Sequence, residues 1–87
     1  MPNTEGLASL GTAALHSALD RRGCEAAGTR VELVRAGDHT RVVLHVRPSD
    51  PWRVTLAAST EVMRVLRMFD PRARLGDVRF EAIDERG

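Results

Sequence analysis

The chain has 87 residues, 43% hydrophobic and 29% charged, the proportions of a single small globular domain spanning 1-87. Its formal net charge is +1, from thirteen basic residues, all arginine, against twelve acidic ones. A dedicated phosphate-backbone binder would carry a strong basic excess, so that class is disfavoured. Cys24 is the only cysteine, so no internal disulfide forms, which fits a reducing compartment. The segment Met1-Pro2-Asn3-Thr4-Glu5 lacks the basic and apolar runs of a signal peptide. No window reaches the ~20 apolar residues of a membrane span. A cytoplasmic location is expected.

Residues 6–22 read as a helix. Leu7, Leu10, Ala14, Leu15, Ala18 and Leu19 recur at spacings of three and four, which places them on one face. Thr4 or Asn3 would cap its start, and Gly23 follows its end, where a left-handed residue belongs. Thr29 to Arg35 reads as a strand, Ala36 to His39 as a turn and Thr40 to Arg47 as a second strand, together a hairpin. Val42, Leu44 and Val46 would face the core, with Val43 and His45 on the outer face.

Residues 48–69 admit two readings. In the preferred one, Pro48 to Pro51 is a turn and Trp52, Val54 and Leu56 line the buried face of a third strand. Thr60 then caps a helix from Glu61 to Phe69. In the other, Asp50-Pro51 starts one long helix over 51–69. Val54, Thr55, Ser59 and Thr60 argue against the long helix, because β-branched and hydroxyl residues weaken helix interiors. In both readings Trp52 is expected in the core. Asp70-Pro71 stops the helix, residues 72–76 connect, and Asp77 to Ile83 forms the last strand. The expected fold is α+β: a two-layer sandwich in which two helices cover one face of an antiparallel-rich sheet of three or four strands.

No constellation of residues names a chemistry. His16, Asp20 and Cys24 recur every four residues, the outline of a zinc half-site, but Gly23 interrupts the helix and no second ligand cluster follows. Cys24 at a helix C-terminus meets the end of the dipole that disfavours a thiolate. No carboxylate pair stands out and no glycine-rich phosphate loop occurs. Catalytic, cofactor-binding and metal residues are therefore expected to be none, and the chain is not expected to be an enzyme.

Trp52-x-x-x-Leu56 after a strand, with the closing Val78-Arg79-Phe80, resembles the KH-like region of the bacterial replicative-helicase loader family over residues 40–82. In the strand reading, the element order over residues 6–69 resembles double-stranded-RNA-binding domains. These resemblances imply a nucleic-acid or helicase-associated module. The chain departs from both patterns. It has no G-x-x-G clamp, and Thr60-Glu61-Val62-Met63 stands where a basic helix start would be. It also lacks tyrosine and a stacking platform.

Two surfaces are candidates for function. The open sheet face should carry Val34, Val43 and Ile83 among polar residues such as His45, the mixed character of a protein–protein surface. Arg64, Arg67, Arg72 and Arg74 form a basic cluster suited to an anion or an acidic partner. The leading expectation is a non-enzymatic interaction module, a homodimer or an accessory subunit of a larger assembly. A nucleic-acid module comes second, and a small-molecule or metal-binding accessory protein third.

Overall fold

The computed structural model describes residues 4–84. The first helix, α1, spans Thr4–Arg21 and buries Leu7, Gly11, Leu15, Ala18 and Leu19 along one stripe. Thr4 opens it; Asn3 lies outside the described residues. Its end is closed by main-chain bonds from Gly23 N–H to Asp20 O (3.1 Å) and from Cys24 N–H to Leu19 O (2.9 Å). Gly23 adopts φ 73°, the left-handed conformation this closure requires.

Strands β1 (Arg30–Ala36) and β2 (His39–Val46) pair antiparallel, with Ala36 opposite His39. The two-residue turn between them has Gly37 at φ 67°, as hairpin turns of this length demand at their first central residue. On β2, Val42, Leu44 and Val46 face the helices and are buried, as the alternation predicts.

The next element corrects the preferred strand reading. Trp52–Phe69 is one continuous helix, α2, preceded by Pro51 at φ −59°. Its buried residues are Thr55, Ala58, Ser59, Val62, Met63 and Leu66, a helical stripe spaced by three and four. The hydroxyls that argue against a helix are accommodated within it. Thr55 Oγ1 donates to Trp52 O (3.0 Å), and Ser59 Oγ (2.7 Å) and Thr60 Oγ1 (3.2 Å) both donate to Leu56 O. Each hydroxyl is satisfied by the preceding turn. Trp52 therefore sits in the first turn of α2, 63% exposed, and not in the core.

The last strand, β3 (Leu75–Ala82), lies parallel to β2, so the sheet order is β1-β2-β3. The sheet is thus mixed, with one antiparallel and one parallel pair, and not antiparallel-rich. The cause is α2: a helix in place of a strand returns the chain to the starting side of the sheet, and the next strand must run parallel. Both helices pack against the same core, which gathers Leu15, Leu19, Val42, Leu44, Val62 and Leu66. Among the described residues, no helix is long and apolar enough to cross a membrane.

Candidate docking surface

The open face does not present Val34, Val43, His45 and Ile83 together as an exposed surface. Val43 is 4% exposed and His45 9%, because β2 is the central strand and its neighbours close over them. The cross-strand neighbours of Val43 are Glu32 and Arg79, not Val34 and Ile83. Val34 is exposed but lies opposite Arg41. Ile83 follows β3 and reaches toward Gly28. His45 is held between two carboxylates, with Nε2 2.8 Å from Glu32 and Nδ1 3.6 Å from Glu81. Arg41 Nε donates to Asp77 at 3.0 Å, and His39 Nε2 lies 3.4 Å from the same carboxylate. Burial pushes the Asp77 carboxyl up, but the Arg41 hydrogen bond and charge, with His39 adding, outweigh it and hold it below its ordinary value. This face is a web of ion pairs over a buried valine.

The arginine cluster is also divided. Arg64 lines a shallow groove between the helices with Ala14, Ser17, Arg21 and Glu61. Arg67 is exposed on α2. Arg72 and Arg74 instead border a cleft of about 470 Å³ at the α2–β3 connection, with Arg35, Asp38 and Asp70. Arg35 was not part of the sequence cluster; only the fold brings the end of β1 to this connection.

The feature that sequence reasoning missed is the flank formed by α2 and β3. Trp52 and Leu56 stand one helical turn apart and are 63% and 47% exposed. The Trp52 ring meets Phe80 of β3 edge-on, with centroids 5.4 Å apart. Beneath Trp52 lies a cleft of about 220 Å³, lined by Val46, Arg47, Pro48, Asp50, Thr55 and Phe80. Arg47 Nη2 donates to Ala27 O, but its buried Nε has no partner, nor has the buried Asp50 Oδ2. A buried donor and a buried acceptor left unpaired both carry a desolvation cost.

Beside this cleft runs the outer edge of β3. Ile83 N–H donates to Val46 O at 2.9 Å, so the odd-numbered residues of β3 turn their main-chain groups toward β2. By alternation, Val78, Phe80 and Ala82 turn theirs outward. The opposite edge of the sheet is covered at its start. Thr12 Oγ1 accepts from Val31 N–H at 2.9 Å, and His16 Nε2 lies 2.7 Å from Thr29 O. His16 is thus a strand-edge cover, placed apart from Cys24, whose weak contact runs to Arg22 O. Among the described residues, no group of three or more His, Cys, Asp or Glu is arranged to hold a metal ion.

No family model, curated protein or solved structure matches this chain.

Proposed function

We propose that this chain is a non-enzymatic protein–protein interaction module that docks partners on its α2–β3 flank. The observation that carries the reading is Trp52. It is the chain's one tryptophan, largely exposed, braced by Phe80 and adjacent to Leu56. Interfaces concentrate their binding energy in such aromatic anchors. The setting suits a polypeptide in particular. The β3 edge turns main-chain donors and acceptors outward, which call for the complementary acceptors and donors. An extended main chain supplies both. The docking surface thus belongs to the α2–β3 flank, and the open sheet face serves as a solvated backing. A reduced, free Cys24 is consistent with work in the cytoplasm.

The test is site-specific photocrosslinking in the native host, with a benzophenone side chain at position 56 and a control at position 67, also exposed on α2. Protein adducts should form from position 56 and not from 67. Equal yields from both positions would overturn the reading.

A second reading rests on the cleft of Arg35, Arg72 and Arg74, in which Arg35 and Arg72 form no ion pair among the described residues. There the chain would hold an anionic group of a nucleic acid or an acidic protein. Asp38 and Asp70 in the same cleft weaken the attraction. A mobility shift with RNA or DNA at submicromolar protein in ~150 mM salt, abolished by Arg72→Glu, would raise this reading above the first.

A further inference from the structure

We infer that the occupant of the α2–β3 flank is a second copy of this chain, joined by antiparallel β3–β3 pairing about a two-fold axis at Phe80. The inference rests on the reading of this flank as the docking surface and adds the partner and the register.

The main chain is the first argument. Val78, Phe80 and Ala82 turn their N–H and C=O groups away from β2, as the Ile83-to-Val46 bond and strand alternation require. A two-fold at Phe80 sets these residues in hydrogen-bonded positions: Phe80 against the Phe80 of the second copy, and Val78 against its Ala82. The pairing joins two three-stranded sheets into one and leaves neither β3 edge exposed. The β1 edge offers only a shorter row, Leu33 and Arg35, since Thr12 already reaches Val31 and His16 reaches Thr29 just before the strand.

Charge selects the alignment. On the open face β3 presents Asp77, Arg79 and Glu81 in turn. Pairing about Phe80 places Arg79 opposite the second copy's Glu81, and by symmetry Glu81 opposite its Arg79. Arg79 has no ion pair within one chain among the described residues, so it is free to form this one, and Glu81 is held only by His45 at 3.6 Å, a looser contact than those on Asp77. An axis at Arg79 would set Arg79 against Arg79 and Asp77 against Glu81. Parallel in-register pairing would likewise match like with like, which destabilises facing strands. An axis at Val78 would ask Asp77 to pair with Arg79, but Arg41 and His39 already hold Asp77, and the β2–β3 register shifts beside it.

The helix face agrees with this alignment. Side chains of Val78, Phe80 and Ala82 point to the helix side, so the two Phe80 rings meet there, flanked by both copies of Trp52. Four aromatic rings then form one cluster across the axis. Because each copy offers the same patch, the contact is isologous and closes at two chains.

Charge reversal tests the register. Light scattering after size exclusion should show the full chain as a dimer at tens of micromolar. Arg79→Glu alone, and Glu81→Arg alone, should each raise the dimer dissociation constant roughly ten- to a hundredfold, since two attractive pairs become two repulsive ones. The double variant R79E/E81R should restore the dimer, which it cannot do about an axis at Val78. Both side chains are exposed, and circular dichroism checks that each variant is folded. Hydrogen exchange on the unaltered chain gives a second measurement: the amides of Val78, Phe80 and Ala82 should gain protection as concentration rises. A monomeric unaltered chain, or single variants that stay dimeric, would overturn the inference. A monomer that still crosslinks to another protein from position 56 would overturn this inference alone and leave the docking reading in place.

Discussion

The two flanks of this domain are built on opposite terms. On the α1–β1 flank the helix lies close against the strand. A Cβ at Gly11 would stand 3.0 Å from Val31 Cγ1, a contact tighter than ordinary packing allows. Thr12 and His16 then bond the main chain of Val31 and Thr29, so the start of the strand edge is spent within the chain. On the α2–β3 flank the helix leaves the strand bare. Trp52 and Leu56 are exposed, Val78 and Phe80 are only partly buried, and by alternation the main-chain groups of Val78, Phe80 and Ala82 turn away from the sheet. A single chain of this size covers only part of its apolar surface. Here the shortfall is concentrated on one side, where an added strand would find both an apolar wall and main-chain partners.

The sharpest contrast between the flanks is one of stability. Leu15 is fully buried on α1. Leu15→Ala should cost about 2–5 kcal/mol, transfer plus cavity, a large share of the stability of a small domain. Trp52→Ala removes a larger side chain yet should cost under about 1 kcal/mol in dilute solution, as for other surface sites with a single packing partner. Urea unfolding at low micromolar protein measures both. If Trp52→Ala proves as damaging as Leu15→Ala, the α2–β3 flank is core and not surface.

Close approach on the α1–β1 flank can be tested directly. Gly11→Ala gains about 1 kcal/mol of helix propensity, but its methyl must push Val31 and α1 apart, costing about 1–3 kcal/mol as overpacking does. A net loss of about 1 kcal/mol is expected from the urea midpoint. A stabilised variant would show that α1 can lift away from β1 freely.

Thr12→Val should cost about 1–2 kcal/mol, because Val31 N–H loses its acceptor while staying near the helix. Hydrogen exchange at the Val31 amide should speed up, and the β1 edge should come to resemble the β3 edge. Unchanged exchange there would mean that α1 shields the edge by bulk alone.

The stability contrast also shows why the sequence revealed one flank better than the other. Leu7, Leu15 and Leu19 mark their helix face with strong apolar residues, and the alternation of Val42, Leu44 and Val46 is equally plain. The buried stripe of α2 begins instead with Thr55, Ala58 and Ser59, residues whose apolar signal is weak. Its exposed side carries Trp52 and Leu56, which with Val54 imitate the two-residue period of a strand. In the first turns of α2 Trp52 and Leu56 lie on the side away from the core while Thr55, Ala58 and Ser59 face it, so hydropathy there points to the wrong structure and the wrong burial. The same inversion hid the docking surface. His45 and Val43 were misplaced for a different reason: alternation gives the face a residue lies on, but not whether neighbouring strands bury it. The Arg35 cleft required the end of β1 to meet the α2–β3 connection, a contact across the chain that no local pattern encodes.

The smallest expected effect lies where β3 begins. Asp77 binds β3 to β2 through Arg41 and His39 on the open face. Its pKa is held below the ordinary 3.8 because Arg41 and His39 outweigh the opposing effect of burial. A carboxyl with a lowered folded-state pKa adds stability that is fully present above the unfolded value and is lost as the pH falls through the folded one. The unaltered chain should therefore be slightly more stable than Asp77→Asn at neutral pH, and the two should converge as the pH drops below 3.8 and past the folded-state value. Other carboxylates titrate in the same range, so the difference between the two proteins, and not the stability of either, isolates Asp77. Urea midpoints taken for both from neutral pH down to the acid limit of folding would show it. A difference that persists at the lowest pH would mean that Asp77 acts by shape or by neutral hydrogen bonding, and that charge does not help hold the bare β3 edge to the sheet.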